Sequence, residues 1–364
     1  MLTFAKKCYL FQTRLIMNIV IQIFIVLVVL GLIFQRSRLL TIAVFFFVWT
    51  LSWNKSLPDY VNYESGYIMG IFHDKGYEYI SSIFSSLGAD YYLFRRCFIG
   101  FGLLIYLFFT LRYAKRCSLV AILYMCTMSF YDIVQNRNFF GFVLCLIGIS
   151  LMISHDNKKY KILYAAIVTF AATIHITTIF YILFLLINKK MIEKCPKIVL
   201  VLMGLVIVFI IQNAFSYEYD LMMERYDVGV SNLTRSLLLV LFTGNFLFVR
   251  YWNKREPSGS MTRPQGLYTL NSNETIFYFN IAILLSLPAA FMSLNALRLY
   301  KYLALLNYTF VSNKFSASFG FSYIAQTLVI VLYAMTYGVV GYLMHSTTYF
   351  DIVESIFYQN LFYN

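Results

Sequence analysis

Four short stretches of the sequence place residue types that can do chemistry among otherwise apolar surroundings. The first is Pro58-Asp59-Tyr60-Val61-Asn62-Tyr63-Glu64, followed by Tyr67 and by Tyr77-Glu78-Tyr79. Alternating aromatic and carboxylate side chains suit a sugar, because aromatic faces stack on pyranose rings and carboxylates accept hydroxyl hydrogens. The same pattern also fits an interfacial tyrosine belt with solvated acids. The second stretch, Gln135-Asn136-Arg137-Asn138, lies between two apolar runs. A guanidinium there can bind pyrophosphate bidentately, or snorkel to lipid headgroups. The third is His175, within Ala172-Thr173-Ile174-His175-Ile176-Thr177-Thr178. Its neutral imidazole can take a proton near pH 7 and so act as general base on a hydroxyl, where the bland reading is a hydrogen-bonded core histidine. The fourth, Asn295 to Tyr302, brings Arg298 and Tyr302, and Arg225-Tyr226 repeats the arginine–tyrosine pairing in weaker form.

These groups must be positioned by membrane helices. Of 364 residues, 60% are hydrophobic and 12% charged, against about 25% charged in soluble domains. Apolar stretches near the roughly 20 residues needed to span recur throughout, without barrel-like alternation. The class is therefore an all-α polytopic integral membrane protein, a single membrane domain over 1–364 with about 10–12 transmembrane helices. The predicted spans are Leu15–Phe34, Leu39–Trp53, Cys97–Leu111, Ser118–Val134, Phe139–Ser154, Ile162–Ile187, Ile198–Ala214, Ser236–Trp252, Ile276–Met292 and Phe321–Met344. Leu299–Val311 either crosses or lies along the interface.

Loop charge orients the chain. The net charge of +13 reads as cytoplasmic basic loops (Arg112–Arg116, Lys158–Lys161, Lys189–Lys197, Arg250–Arg263), and not as nucleic-acid binding. Two acidic connections belong outside. One is the 54–96 region, with Asp59, Glu64, Asp74, Glu78 and Asp90 and a short amphipathic or re-entrant stretch. The other is 215–235, with Glu218, Asp220, Glu224 and Asp227. Both flanks of Ile162–Ile187 are basic, so this segment is expected to dip in and return as a broken helix with His175 near its tip; irregular backbone at such depth must line a cavity. Lys6, Lys7 and Arg14 oppose the orientation set by Arg36 and Arg38, a conflict that translation from Met17 would remove.

Cys8, Cys97, Cys117, Cys126, Cys145 and Cys195 lack metal or disulfide spacing and read as buried small hydrophobes. Walker A, HExxH and GxSxG patterns are absent. Glu218-Tyr219-Asp220 spells an ExD too late in the chain for the cation-binding pair of lipid-linked glycosyltransferases, so no metal and no cofactor is expected.

Several of these elements occur in a characteristic order: an Asp-Tyr loop after the second helix, a glutamate opening an amphipathic stretch, a Gln-x-Arg at a helix start, a histidine in a hydroxyl-rich apolar segment, and a late arginine–tyrosine pair. This resembles the EpsG family of bacterial polysaccharide polymerases, related in role to O-antigen polymerases, over about residues 40–310. The matching positions are Asp59, Tyr60 and Tyr63; Glu78; Gln135 and Arg137; His175; and Arg298 and Tyr302. Gly141, Ile176 and Trp53-Asn54-Lys55 depart from the family pattern. The resemblance implies metal-independent joining of polyprenyl-diphosphate-linked oligosaccharide repeat units at the outer face of the bacterial inner membrane. The product would be O-antigen, capsule or exopolysaccharide, made beside a flippase and a chain-length regulator. Arg137 and Arg298 would hold the diphosphate, His175 or Glu78 would be the base, and Asp59, Tyr60, Tyr63, Gln135, Tyr302 and Arg225 would bind substrate. A transporter or flippase of lipid-linked glycan, and a membrane acyltransferase acting on polysaccharide, are the alternatives.

Overall fold

The computed structural model describes residues 18–155, 157–186, 232–254, 270–284, 300–315, 321–344 and 349–362, and among these it is all-helical, with no strand. The predicted span Ile198–Ala214, the second outer loop up to residue 231, the 1–17 segment with the Met17 question, Arg225 and Arg298 lie outside the described residues.

The chain begins with α1 (Ile19–Ile33), capped by Asn18, whose side chain accepts the Val20 and Ile21 N–H groups. It continues with α2 (Arg38–Leu51), capped by Ser37. The connection after α2 folds into two short helices, α3 (Tyr60–Met69) and α4 (Lys75–Ser86). Gly70, at φ 66°, ends α3 in the left-handed conformation that favours glycine. Then comes α5 (Tyr91–Tyr113), whose N-cap Asp90 accepts the Leu93 N–H. It starts six residues before the predicted Cys97, because Arg95, a charge that ends an apolar run on paper, is buried among main-chain carbonyls.

The predicted span Ser118–Val134 is divided into α6 (Cys117–Thr127) and α7 (Ser129–Val134). Thr127 and Ser129 turn their hydroxyls back onto the Leu123 and Met125 carbonyls at this break, a habit that bends helices. Every residue of α6 except Cys126 is buried; it is the central helix, packed by α1, α2 and α5. Cys97 and Cys126 are exposed, correcting the expectation of burial, while Cys117 and Cys145 are buried as free thiols. Cys126 lines an apolar groove between α6, Val28 and Leu32 of α1, and the Val331–Val339 stretch near the chain's end.

α8 (Asn136–Ser154) and α9 (Lys158–Ile174) form the next hairpin. The helix breaks at His175, which is extended (φ −155°, ψ 115°), and continues as a 3-10 segment, Ile176–Ile182, and a short α10, Leu183–Leu186. The Tyr164 hydroxyl donates to the Tyr181 carbonyl at 2.8 Å. The chain after His175 therefore runs back along α9, with His175 at the reversal. Gly141 allows this: a Cβ there would stand 2.7 Å from Thr178 Cγ2, so the departure from alanine at 141 matches the tight seating of the returning segment on α8.

The remaining described helices are α11 (Asn232–Lys254), α12 (Leu270–Leu284), α13 (Leu303–Asn313), α14 (Phe321–Met344) and α15 (Tyr349–Tyr358). α13 is buried from Leu303 through Ser312, which places it inside the bundle and not along an interface. Asn245, Asn280 and Asn307, from α11, α12 and α13, hydrogen-bond one another and the hydroxyls of Tyr333 and Tyr337 on α14. α15 was not anticipated. It closes the end of α2: the Asn54 side chain donates to the Ser355 carbonyl, and Leu361 N–H to the Trp53 carbonyl at 2.9 Å.

The apolar core carries a polar seam, and the exterior of several helices is apolar as well. Asparagines and tyrosines form the interior seam, while Phe101, Leu104 and Phe108 on α5 and Ile324, Leu328, Leu332 and Met335 on α14 are exposed. Such polar seams under an apolar exterior suit helices packed in lipid. Two described helices, Tyr91–Tyr113 and the Ser322–Val339 part of α14, are long and apolar enough to cross a membrane, and shorter apolar helices accompany them.

Candidate functional site

Three segments far apart in sequence meet where α9 breaks. Arg137, in the first turn of α8, donates through a terminal nitrogen to Asp74 Oδ2 at 2.7 Å. His175 Nδ1 lies 3.6 Å from the same oxygen. The Arg137 Nε donates to the Tyr63 hydroxyl at 3.2 Å, and its guanidinium stands 4.8 Å from the Tyr63 ring and 5.7 Å from that of Tyr77. One carboxylate thus faces both a guanidinium and an imidazole.

Local structure explains the convergence. Asp74 is the N-cap of α4 yet makes no capping hydrogen bond; its carboxylate turns to Arg137. Gly76 lets the first turn of α4 press onto Thr173, where a Cβ would meet Thr173 Oγ1 at 2.2 Å and its main-chain carbon and oxygen at 2.9 Å. Beside them, Asn138 latches the start of α8 to the 3-10 segment, accepting from Thr177 and donating to Gln135, each at 3.5 Å. Arg137 and His175 are partly accessible, with side-chain exposures of 22% and 13%, while Asp74 is buried at 8%. A carboxylate so placed orients an imidazole and stabilises its protonated form, while the guanidinium offers donors to an anion.

The structure brings together Arg137, His175 and Tyr63 directly, and Gln135 through Asn138. Tyr60 is turned the other way: it is buried, with its ring 5.1 Å from that of Tyr91 and 5.9 Å from the Arg95 guanidinium. Burial pushes its hydroxyl pKa well up. Asp59 is exposed at the N-cap of α3. Tyr302 lies elsewhere, in the interior, stacked on Phe142 of α8 at 4.5 Å beside a buried Lys301–Asp132 ion pair.

Glu78 has partners of its own. Its carboxylate accepts the Phe72 N–H at 3.0 Å and pairs with Lys75 at 3.1 Å. The main-chain donor first, and Lys75 second, hold its pKa below the usual carboxylate range. A depressed folded pKa gives stability that is present at neutral pH and lost as pH falls through that lowered value. Glu78→Gln is accordingly expected to lower thermal stability slightly at pH 7, with the difference from wild type shrinking as pH falls below the free glutamate value of about 4.3 and gone once pH lies below the lowered folded value. Melting curves across pH read this, and a difference that persists in acid would refute it.

Asp74 is the residue that sequence reasoning passed over, as one of several acids in an outer loop. The available signal was Gly76, which costs helix stability in a first turn and so implies a close approach. Among the described residues, no three His, Cys, Asp or Glu side chains come together as a metal site would require.

The chain matches the EpsG family over residues 36–360. No curated protein and no solved structure matches the chain.

Proposed function

Since the chain belongs to the EpsG family, we propose that it polymerises polyprenyl-diphosphate-linked oligosaccharide repeat units into surface polysaccharide, as a multi-pass enzyme at the outer face of the bacterial inner membrane. The observation that carries this reading is the meeting of Arg137, Asp74 and His175 at a helix break.

The reaction is a metal-independent glycosyl transfer between two lipid-linked glycans. A hydroxyl of the acceptor attacks the anomeric carbon of the donor as the bond from that carbon to the diphosphate oxygen breaks. His175 takes the hydroxyl proton, and Asp74 stabilises the resulting imidazolium. Arg137 holds the donor diphosphate and stabilises the charge it carries away. Tyr63, half-buried beside the guanidinium, offers an aromatic surface for a sugar ring, while the fully buried Tyr77 backs it from the interior. Gln135, Asp59, Tyr60, Tyr302, Arg225 and Arg298 remain proposed substrate contacts. Glu78 is the weaker of the two candidate bases, because the contacts that depress its pKa also lower its proton affinity.

Arg137→Ala and His175→Ala, each expressed in the native host lacking the wild-type gene, are expected to abolish long chains and leave single repeat units on the lipid at the outer leaflet. Normal chain lengths in both variants would overturn the site. Repeat units held at the inner leaflet would point instead to a flippase, and unchanged chains lacking acyl groups to an acyltransferase.

A further inference from the structure

The start of α5 carries a second cation centre that the reaction as described does not use. The Arg96 guanidinium carbon stands 3.5 Å from the centre of the Trp53 ring and 5.2 Å from that of Tyr92, and Lys55 Nζ stands 5.0 Å from the same Tyr92 ring. The platform is held from behind. The Trp49 indole donates to the Arg96 carbonyl at 2.9 Å, and the Trp53 ring meets Trp49 and Phe362 edge-on at 5.1 and 4.6 Å.

What this centre lacks is an acceptor. Arg96 Nε and Trp53 Nε1 are both buried and have no hydrogen-bond partner among the described residues. Among the described residues neither Arg96 nor Lys55 makes an ion pair. Arginine and tryptophan side chains only donate, and a buried donor without an acceptor is unfavourable. Stacking fixes the guanidinium plane, and Arg96 as a whole is only half-buried, the arrangement in which a guanidinium takes phosphate oxygens in a fork. An aromatic and cationic surface at a helix end also suits a group sitting at membrane headgroup level.

We propose that Arg96, Trp53 and Lys55 form a phosphate site for a lipid, and specifically for the diphosphate of the second lipid-linked substrate, an assignment that rests on the polymerase reading. Joining two lipid-linked glycans brings two diphosphates to one enzyme. Arg137 attends one of them. Arg95 lies between the two centres, donating to the Ser52 and Asn54 carbonyls on the Trp53 side and to the Ile133 carbonyl on the Arg137 side. The two cation centres therefore belong to one braced end of the bundle.

The test uses the full chain in phosphatidylcholine nanodiscs, titrated calorimetrically with farnesyl diphosphate. Wild type is expected to take two equivalents. Arg96→Ala should weaken one of them at least tenfold and leave the other, which Arg137→Ala removes. Trp53→Phe, which keeps the stack and deletes the N–H, should weaken the same equivalent by a few fold. Unchanged affinity and stoichiometry in Arg96→Ala would overturn the proposal. A second arm uses phosphatidylglycerol nanodiscs and native mass spectrometry. Arg96-dependent retention of phosphatidylglycerol, with farnesyl diphosphate binding indifferent to Arg96, would overturn the substrate assignment in favour of a bilayer headgroup. Binding is read without turnover, so an Arg96-dependent diphosphate site in a protein whose Arg137 and His175 variants still polymerise would refute the reaction and not the site.

Discussion

Gly76→Ala is expected to cut polymerisation about a hundredfold while leaving the protein folded and inserted. An added Cβ would lie 2.2 Å from Thr173 Oγ1 and 2.9 Å from the Thr173 main chain. The hydroxyl is not free to swing aside, since it donates to the Phe170 carbonyl at 2.7 Å. The first turn of α4 must then move off α9 by about 1 Å to restore an ordinary carbon contact. Asp74 precedes Gly76 by two residues and His175 follows Thr173 by two, so the displacement opens the contact between carboxylate and imidazole. Misplacement of about 1 Å in a catalytic array costs on the order of 100-fold. The control is Gly244→Ala in α11, where a Cβ meets nothing within 4 Å. There the usual helix preference for alanine should appear as a gain of about 0.5–1 kcal/mol. Thr173→Ala added to Gly76→Ala removes the hydroxyl clash but not the main-chain one, and should restore only part of the activity. Wild-type chain lengths in Gly76→Ala would show that the docking of α4 on α9 does not set the site.

The sequence made some of this visible for a definite physical reason. Arg137 and His175 stand out because an ionisable group among apolar neighbours is costly and needs a cause. The His175 break was legible from the basic flanks of its segment, and the bounds of α14 from an uninterrupted apolar run. The failures share a different cause. Asp74 looked like a solvated loop acid, and nothing local reveals that the loop folds back onto α9. Arg95 marked the end of a span on paper, whereas three carbonyl groups from distant segments satisfy it. The division of α6 from α7 follows from hydroxyl groups bonding back to the helix, which hydropathy does not register. α15 gains its place from contacts with Asn54, Ser56 and Trp53 at the opposite end of the chain. Local patterns reported which residues are expensive, and the tertiary contacts that make them tolerable were out of reach.

The same distinction bears on the Lys301–Asp132 pair, whose loss is expected to destabilise the protein by about 3–5 kcal/mol. Lys301 Nζ lies 3.0 Å from Asp132 Oδ1, with side-chain exposures of 0% and 2%. The Tyr124 hydroxyl donates to the other carboxylate oxygen at 2.9 Å. Lys301→Ala would strand a carboxylate in the apolar interior, and Asp132→Ala would strand an ammonium, so both single variants should unfold at markedly lower denaturant concentration. The double variant Asp132→Leu with Lys301→Met removes both charges at similar volume, and should recover most of the loss, since a buried pair can often be replaced by packed apolar groups. Double-variant losses equal to the sum of the corresponding singles, Asp132→Leu and Lys301→Met, would show the two residues to be uncoupled. The pair also has a positional consequence. It joins α7, which leads directly into Gln135 and Arg137, to the start of α13, and Tyr302 beside it stacks on Phe142 of α8. A charge-free replacement that restores stability should therefore restore chain length as well. If stability returns and long chains do not, the charges themselves, and not only the packing they hold, take part in the proposed polymerisation.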